Sequence, residues 1–459
     1  MKLDLLQFTL PRNWLLFIFA YLFWIIAAVY YIFPYLHLRL RVRKKDITIM
    51  VLGDLGHSPR MTYHALSLAN QGYQVNLCGY VNSELLETVM EHELIDVYEI
   101  SAVANKHMLP FVFFTPYKIV VQIFQLWTLL RELQGSQYYM MQNPPSMPLL
   151  AVLTVYLRVC SPNSHLIIDW HNLNYTILNL RFNNVNHPLV RLLRTYERLL
   201  ARFAWLNITV SDHLKKDLSR EFGLRRSTLV TFHDRPGPQF CPLESPEARD
   251  KVLDHEIFAG IADIRARRII VSATSFTPDE DFQILLQALK RYDDNDNEQT
   301  PLLALITGKG PLRAQFLAEV DALGLLEKVV VRNKWLSTED YPRVLAVADL
   351  AVSLHTSLSG IDLPMKIVDF FGVGVPVVTL SFPAISELVK DGVNGLVVPG
   401  VRAAYEELYE CILQIFGSAK LLQTLKSGAM KESERRWDDN WNAVLRPIFV
   451  EPEKTEESE

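Results

Sequence analysis

The stretch LAVSLHTSLSGIDLPMKIVDFFGVGVPVV, residues 350–378, has the pattern of a strand, a loop, a helix and a second strand. Residues 350–354 form a short apolar run, and residues 355–363 are rich in Ser, Thr and Gly. Pro364 suits the first turn of a helix, because an N–H group at that position would have no partner inside the helix. Gly372 is a stop signal ahead of the next apolar run. The stretch therefore predicts one βαβ unit of a parallel sheet.

The loop of this unit is a candidate anion site. It places the start of a helix at the carboxyl end of a strand, where unpaired N–H groups and the helix dipole favour a phosphate. Lys366 in the first turn opposes that dipole, so contact with a ligand is one reason for its position, and Asp369 lies one turn further on the same side. An ordinary βαβ turn with a chance lysine is the alternative. The other donor-site candidates in the loop are His355, Ser357, Ser359, Gly360 and Asp362.

Length and composition indicate two domains and a membrane segment. The chain has 459 residues, more than one ordinary core needs, and 49% of them are hydrophobic. A net charge of -5 gives no overall basic field, so nucleic acid is not expected as a partner. The four cysteines are far apart and lack metal-ligand spacing, so no metal site is predicted and the thiols are expected to be reduced.

The N-terminus carries an apolar run from Trp14 to Phe33 without a charged residue, which is long enough to span a bilayer as one helix. A cleaved signal peptide is the alternative, but a basic stretch follows where a small-residue cleavage site would be needed. Five Arg and Lys residues at 39–45 exceed the two basic residues before the run. This bias predicts a single-pass anchor with the rest of the chain in the cytosol.

Strands and helices alternate after Ile47, which predicts an α/β architecture of two Rossmann-like domains facing each other across a cleft. Ligands of such folds bind at the carboxyl ends of the strands. The predicted organisation is an anchor with its basic flank at 1–45, an N-terminal acceptor domain at 46–235, a linker at 236–266, a C-terminal nucleotide-sugar domain at 267–435, a crossover helix at 436–450 and a disordered acidic tail at 451–459.

Residues 107–133 interrupt this alternation with many aromatic and aliphatic residues, few charges and two prolines. The segment is too broken for a comfortable membrane span. A helix lying in the membrane interface, or a shallow re-entrant segment, is one interpretation, and a core helix of the sheet is the other. The neighbouring anchor favours contact with the membrane surface.

Two groups of residues in the first domain are candidates for the acceptor side and for catalysis. The turn of Gly53, Asp54, Gly56 and His57 ends the first strand, where the backbone can approach a ligand closely, although a plain tight turn is as consistent with the pattern. Asp169 and His171 come at the end of another apolar strand and point to the same face. A histidine held by a carboxylate can deprotonate a sugar hydroxyl. A structural cluster that holds the loop is the alternative.

In the second domain, Gly308, Lys309 and Gly310 end a strand and open a helix, so they can cradle a phosphate next to a cation. The segment lacks the GK[ST] ending of a P-loop, which argues against ATP hydrolysis. Glu387 could accept hydrogen bonds from a ribose or a sugar, or it could be a solvated helix residue.

Several segments together carry a family likeness that covers the chain from the anchor to about residue 448. They are GDLGHSPRMTYHALSLA, QNPPSMPLLA, DWHNLNYTIL, SATSFTPDEDF, TGKGP, WLSTEDYP and residues 350–378. In this combination the chain resembles the chitobiosyldiphosphodolichol β-mannosyltransferases.

The resemblance implies a GT-B fold and transfer of mannose from GDP-mannose to dolichol-diphosphate-linked chitobiose, with inversion, on the cytosolic face of the endoplasmic reticulum membrane. It also implies Asp369 as the acid that holds the donor ribose, no required cofactor although Mg²⁺ can stimulate, and other mannosyltransferases of the pathway as partners. Inversion needs a general base on the acceptor hydroxyl and electrostatic help for the departing GDP.

Three departures from the family pattern affect the site. Many relatives have Arg in place of His57, which makes His57 a poor candidate for an essential base, and His233 replaces a Tyr. The turn at residues 276–282 is acidic and lacks a basic pair for the diphosphate, so Lys309 and Lys366 become the candidates. The alternatives are another GT-B transferase that acts on a dolichol-linked or membrane glycolipid, and a non-catalytic scaffold of the same pathway. A nicotinamide dehydrogenase is disfavoured because neither half has the glycine fingerprint.

Overall fold

A computed structural model describes most of the chain and divides it into two compact units. The described residues are 12–28, 42–105, 108, 110–277, 280–295, 300–325, 328–355, 357, 359–400 and 403–449. The first unit comprises the described part of Met1–Trp170 together with Leu192–Asn207, and the second comprises His171–Arg191 and the described part of Ile208–Glu459. Each is built around parallel β-strands, as the alternating pattern predicts.

The first part of the chain alternates strands with helices. Its elements are α1 (Arg12–Ala27), β1 (Arg43–Asp54), α2 (Pro59–Ala69), β2 (Gln74–Tyr80), α3 (Glu87–Met90), β3 (Ile95–Glu99), α4 (Phe111–Glu132), β4 (Ser136–Asn143), α5 (Leu149–Val159), β5 (His165–Trp170), α6 (Asn174–Phe182), α7 (Pro188–Leu200) and β6 (Leu206–Thr209). Strands β2, β4 and β5 are almost wholly buried, and β1 is buried from Asp46 to Leu52, as expected for a sheet covered on both faces.

The remainder of the chain repeats this alternation. Its elements are α8 (Asp212–Glu221), β7 (Leu229–Thr231), α9 (Pro246–Leu253), β8 (Arg268–Thr274), α10 (Phe282–Asp293), β9 (Leu302–Gly308), α11 (Arg313–Ala322), β10 (Val329–Lys334), α12 (Asp340–Ala346), β11 (Leu350–Ser353), α13 (Met365–Gly372), β12 (Val377–Leu380), β13 (Gly395–Val398), α14 (Ala404–Gly417), α15 (Ala419–Ser433), α16 (Trp437–Val444) and α17 (Arg446–Phe449). Residues 350–378 thus fold into β11, α13 and the start of β12, as predicted.

The strand order places a switch point in each sheet. The seven-stranded sheet has the order β3-β2-β1-β4-β5-β6-β7, and the six-stranded sheet has the order β10-β9-β8-β11-β12-β13. The chain order reverses direction between β1 and β4 and again between β8 and β11, where the paired strands run parallel. Ligands of open α/β sheets bind outside the carboxyl ends of strands at such points.

Both faces of the six-stranded sheet are packed. Ile269 and Val271 belong to one buried cluster, and Ile270 between them belongs to the other. Because side chains alternate along a strand, a strand that is covered on both sides needs apolar residues at every position. This explains the consecutive apolar residues in the two strands, IIV in RIIVSAT and LLALI in LLALITG.

The units divide the chain differently from the predicted domain boundary at residue 235. The segment from Ile208 onward belongs with the second unit, and it is hydrogen-bonded to later segments of that unit. The Ser211 hydroxyl donates to the carbonyl of Ile361 at 2.5 Å, and the Asn440 side-chain amide donates to the carbonyl of His233 at 2.8 Å. Residues 236–266, predicted as a linker, also contribute buried side chains such as Phe240 and Phe258 to the core of the second unit.

The terminal predictions fall partly outside the described residues. Among the described residues, no helix combines the length and the apolar character that a membrane crossing requires. Helix α1 covers Arg12–Ala27, whereas residues 29–41 are not described, so the anchor from Trp14 to Phe33 stays a prediction. The predicted acidic tail at 451–459 also lies outside the described residues. The described part of residues 436–450, predicted as one crossover helix, forms the two short helices α16 and α17 and belongs to the second unit, so the crossover stays a prediction.

Candidate active site

The loop after β11 is organised by the carboxylate of Asp362. His355 Nε2 lies 3.0 Å from one carboxylate oxygen, and the Ser359 hydroxyl donates to the other at 3.1 Å. The Ser357 hydroxyl also donates to that second oxygen. Burial alone would raise the pKa of Asp362, but the hydrogen bonds from His355 and Ser357 outweigh burial and leave that pKa below its ordinary value. Asp362 therefore acts as the internal acceptor that folds the donor-loop candidates together.

Lys366 is paired with a buried carboxylate that the sequence analysis did not single out. Its ammonium donates to Glu280 Oε1 at 2.5 Å, and the Glu280 side chain is only 2% exposed. The other Glu280 oxygen accepts a hydrogen bond from the Thr274 hydroxyl at 2.6 Å, directly at the end of β8. The pair explains how a lysine is tolerated in the first turn of α13 despite the helix dipole. The Lys366 side chain remains about a quarter exposed, so its ammonium can still meet a ligand.

The turn after β9 lies against the turn after β8, and its glycines make this contact possible. A Cβ atom at Gly308 would lie 1.9 Å from the carbonyl oxygen of Thr274, and one at Gly310 would lie 1.8 Å from that of Ser275. Gly308 also has a φ of +144°, which side-chain-bearing residues rarely adopt. Between them, Lys309 places its ammonium 4.1 Å from the centroid of the Trp335 ring, a cation–π contact.

These contacts join the carboxyl ends of four neighbouring strands. In the order β10-β9-β8-β11, Trp335 follows β10, Lys309 follows β9, Glu280 follows β8 and Lys366 follows β11. Lys366 thus lies at the switch point between β8 and β11, and Lys309 follows the neighbouring strand β9 at the same edge of the sheet. A diphosphate at this edge would meet lysine side chains and the backbone N–H groups of the turns. The arrangement is suited to hold a nucleoside diphosphate and to stabilise it as a leaving group.

Asp369 has a different partner from Lys366, although one turn of α13 separates them. Its carboxyl group is hydrogen-bonded to the Tyr341 hydroxyl and feels the negative charge of Asp234. Burial is the main cause that raises the pKa of Asp369 well above its ordinary value, and Asp234 adds to it. A raised pKa favours a neutral carboxyl group that can donate as well as accept a hydrogen bond. The role of holding a ribose stays a prediction for this residue.

Glu387 is neither a solvated helix residue nor an open acceptor. One of its oxygens accepts from the backbone N–H of Asp212 at 2.7 Å and lies 2.7 Å from His233 Nε2. The other accepts from the backbone N–H of His213 at 2.9 Å and contacts the ring of the same residue. Burial would raise the pKa of Glu387, but these hydrogen bonds lower it to about 2. The carboxylate thus closes the N-terminus of α8.

The same network brings potential metal ligands together. Ligand atoms of Asp212, His233 and Glu387 lie within 4.8 Å of one another. Because both oxygens of Glu387 already accept two hydrogen bonds each, the geometry is that of a carboxylate–imidazole network. His233, which departs from the family pattern, takes part in this network.

In the first unit, Asp54 anchors the turn after β1. One oxygen accepts the backbone N–H groups of Asn82 and Ser83 at 3.0 and 3.3 Å, and the other lies 2.5 Å from His57 Nδ1. Burial would raise the pKa of Asp54, but hydrogen bonds from the Ser83 side chain, the Asn82 N–H group, His57 and the Ser83 N–H group lower it to about 2. Gly56 is needed for close approach, since a Cβ there would lie 2.7 Å from the carbonyl oxygen of Glu84. The His57 ring is largely exposed at this edge, while Gly53 lies in β1 itself.

Asp169 is enclosed in a buried ion pair. Its side chain is fully buried, and its two oxygens accept hydrogen bonds from Arg60 Nε at 2.7 Å and Arg60 Nη2 at 2.9 Å. Arg60 lies in the first turn of α2 and is itself 2% exposed. The structure therefore favours the structural interpretation of Asp169 over the catalytic one, because a bidentate buried ion pair holds it in place. His171 lies just beyond the end of β5 and is partly exposed, and its role as a base stays a prediction.

Sequence reasoning missed Glu280, Trp335 and Arg60. Each lies inside a segment that carried the family likeness, namely TPDEDF, WLSTEDYP and HSPRM. The available signal was a lysine in an unfavourable helix position, which calls for an acidic partner. That signal does not identify the partner, because Glu280 is 86 residues away along the chain.

Comparison with known proteins agrees with this geometry. Residues 267–417 match the family model described as glycosyl transferases group 1. The fold is similar to that of HepE from Anabaena, solved in complex with UDP and glucose, with a TM-score of 0.64 and 16% identity over 88% of this chain and 99% of that one. WaaG, a glycosyltransferase involved in lipopolysaccharide biosynthesis, gives a TM-score of 0.61 at 13% identity over 88% of this chain and 98% of that one. The protein is a glycosyltransferase with the GT-B fold.

Two curated relatives narrow this class. The chitobiosyldiphosphodolichol β-mannosyltransferase of Candida albicans is 50% identical, with 92% of both chains covered. The human protein of the same name is 35% identical over 89% of this chain and 93% of its own. The chain belongs to the family of chitobiosyldiphosphodolichol β-mannosyltransferases and is a β-mannosyltransferase.

Proposed function

We propose that this chain transfers one mannose from GDP-mannose to chitobiosyl-diphosphodolichol and forms the first β-1,4-linked mannose of the lipid-linked oligosaccharide used for protein N-glycosylation. The observation that carries the proposal is 35–50% identity to enzymes of that name over about nine-tenths of the chain. Lys309 and Lys366, which follow β9 and β11 at the carboxyl edge of the second sheet, support a nucleoside diphosphate donor.

The reaction is a single displacement. The acceptor hydroxyl attacks the anomeric carbon of mannose while the bond from that carbon to the phosphate oxygen breaks, which inverts the anomeric configuration. The hydroxyl proton passes to a general base, for which His171 is the proposed residue, and GDP leaves with an added negative charge. Lys309 and Lys366 stabilise that charge. Asp169 pairs with Arg60 inside the first unit and is not the base of this proposal.

The second proposal concerns cofactors: the enzyme requires no metal, and Mg²⁺ only stimulates it. The proposal rests on Lys309 and Lys366 as the cationic side chains that contact the diphosphate, with Lys366 held in place by Glu280. Transfer measured in EDTA should continue at a rate within a few-fold of that in Mg²⁺. Complete loss in EDTA with recovery on adding Mg²⁺ would contradict this proposal.

We also propose that the protein is anchored in the endoplasmic reticulum membrane, with both units in the cytosol and other mannosyltransferases of the pathway as neighbours. The apolar run from Trp14 to Phe33 and the basic residues after it support this orientation. Protease added to sealed microsomes should digest the chain after residue 45 without detergent. Asn174 and Asn207 each begin an Asn-x-Thr glycosylation sequon. Protection of that part of the chain from protease, or glycans at these two residues, would show the opposite orientation.

The reaction is tested with the full-length enzyme, GDP-mannose and a chitobiosyl-diphospho-phytanyl acceptor. The product should gain the mass of one hexose, and β-mannosidase should remove it. Lys366→Met should lower kcat/KM by roughly 100-fold, because the ammonium that stabilises the negative charge of the leaving diphosphate is lost. Lys420→Met, which removes an exposed lysine of α15, is the matched control and should have no effect. A product without the added hexose, or a hexose resistant to β-mannosidase, would refute the proposed reaction.

A further inference from the structure

The second unit contains a cavity whose wall is rich in arginine. Its volume is about 420 Å³, which is within the range of small-molecule sites. Its charged and hydroxyl-bearing lining residues are Arg249, Arg265, Arg267, Arg268, Thr300 and Asp349. The four guanidinium groups stay protonated at any physiological pH, so the wall of this cavity is suited to an anion.

The neighbouring strands fix the position of the cavity. Arg268 is the first residue of β8, Asp349 directly precedes β11, and Thr300 lies two residues before β9. These strands are parallel neighbours, so their first residues share the amino-terminal edge of the six-stranded sheet. Strand β8 has seven residues, and a rise of about 3.3 Å per residue separates this edge from the carboxyl edge by roughly 20 Å. A ligand of the cavity is therefore distinct from a ligand of the loop that precedes Lys366.

Asp349 is surrounded by three cations. Its carboxylate accepts hydrogen bonds from Lys426 Nζ at 2.9 Å and Arg268 Nη1 at 3.3 Å, and it lies 3.5 Å from Arg249 Nη2. Burial would raise the pKa of Asp349, but Lys426 and a backbone N–H group lower it below its ordinary value, so the carboxylate stays charged. One close cation is sufficient to balance this buried charge. The cluster therefore has three positive charges and one negative charge.

The two arginines of this cluster keep donor groups for a ligand. The Arg249 side chain is 31% exposed and the Arg268 side chain is 43% exposed, so both guanidinium groups reach solvent. A guanidinium group has five N–H donors, and Asp349 occupies only part of them. Arg265 adds less positive charge to the cavity, because it is already paired with two exposed aspartates. The excess of positive charge thus rests on Arg249 and Arg268.

We propose that this cavity is a second anion site, at which Arg249 and Arg268 bind a small phosphorylated compound at the amino-terminal edge of the six-stranded sheet. The planar guanidinium fork matches two oxygens of one phosphate group. A phosphate group carries up to two negative charges near neutral pH, which balances the excess charge of the cluster, whereas a single carboxylate balances only half of it. The cavity is also large enough for a compound with more than one phosphate group.

The test uses the full-length enzyme with inorganic pyrophosphate as the probe. GDP is added to saturation beforehand, so that pyrophosphate does not compete for the proposed donor site. Hydrogen–deuterium exchange measured by mass spectrometry should show saturable protection of residues 246–270. Arg249→Gln/Arg268→Gln should raise the Kd for this protection by about tenfold or more, because charge-assisted hydrogen bonds to the probe are lost. Arg220→Gln, which removes a 76% exposed arginine of α8, is the matched control and should leave the Kd unchanged.

A second variant tests the site without removing a partner of Asp349. Thr300→Glu leaves the three cations in place and adds a negative charge to the wall of the cavity, so it should also raise the Kd by about tenfold. Melting temperatures show which variants are folded. The proposal would be overturned by an unchanged Kd in a folded variant of either kind, by the absence of saturable protection, or by protection confined to residues 350–366. In each case the arginines would be counter-ions of Asp349 alone. The readout involves no sugar transfer, so its outcome is independent of the proposed reaction.

Discussion

The buried pair of Arg60 and Asp169 provides the sharpest test of the site, because it separates a structural from a catalytic role for Asp169. Both side chains are at most 2% exposed, and two charge-assisted hydrogen bonds of 2.7 and 2.9 Å join them. Asp169→Asn removes the charge and leaves the guanidinium buried without its counter-ion. Breaking one partner of such a pair costs about 3–5 kcal/mol of unfolding free energy.

The expected shift in melting temperature follows from the size of the unit. For a unit of about 150–250 residues, 1 kcal/mol corresponds to roughly 2–4 °C, so the first unit should melt about 6–20 °C lower. Thermal proteolysis with mass spectrometry can follow peptides of β1, β4 and β5 separately from the second unit. Asp96→Asn, at an exposed position of β3, is the control and should shift the midpoint by less than about 2 °C.

The double variant Arg60→Leu/Asp169→Leu should recover much of the lost stability, because an apolar pair of similar volume is often as stable as a buried ion pair. At a temperature well below both midpoints, Asp169→Asn should retain transfer activity within about tenfold of the wild type. Loss of kcat by on the order of a thousandfold at an unchanged melting temperature would refute the structural role and restore Asp169 as a catalytic group.

The remaining predictions concern the second unit. Gly308→Ala should abolish donor binding in a titration with GDP, because its Cβ would meet the carbonyl of Thr274 at 1.9 Å and push the two turns apart; binding at wild-type affinity would show that these turns do not hold the donor. Trp335→Ala should raise KM for the donor by roughly two- to fivefold with kcat nearly unchanged, since a cation–π contact of about 0.5–1 kcal/mol no longer positions Lys309. Trp335→Phe keeps an aromatic ring under the ammonium, so its KM should stay close to that of the wild type. An equal rise in KM in the alanine and phenylalanine variants would contradict this account. Glu387→Gln should lower the unfolding temperature above pH 4.5, and the difference from the wild type should shrink as pH falls from 4.5 towards 2. The reason is that the pKa of Glu387 is lowered to about 2 in the folded protein, so its carboxylate stabilises the fold only while it is charged. A difference that does not change with pH would rule out the carboxylate charge as the cause.

The order of strands and helices followed from the sequence because it depends on local patterns. Continuous apolar runs predicted buried parallel strands, and the loop–helix signal at Pro364 predicted the start of α13, which begins at the next residue. Gly308 and Gly310 were predicted as part of a phosphate cradle, and their close contact with the turn after β8 appeared only in the structure. Periodicity and the conformational limits of Gly and Pro act over a few residues, and they can be read without a three-dimensional structure.

Partner choice was decided only by the tertiary structure. Lys366 pairs with Glu280 and Asp169 pairs with Arg60, over separations of 86 and 109 residues. Glu387 closes the start of a helix 175 residues earlier in the chain. Nothing in the local sequence determines which strand ends become neighbours, and a buried carboxylate takes whichever cation the packing brings to it. The sequence by itself therefore determined the elements and the kinds of charged groups at their ends, while the folded sheets decided which of those groups meet each other and which remain available to a ligand.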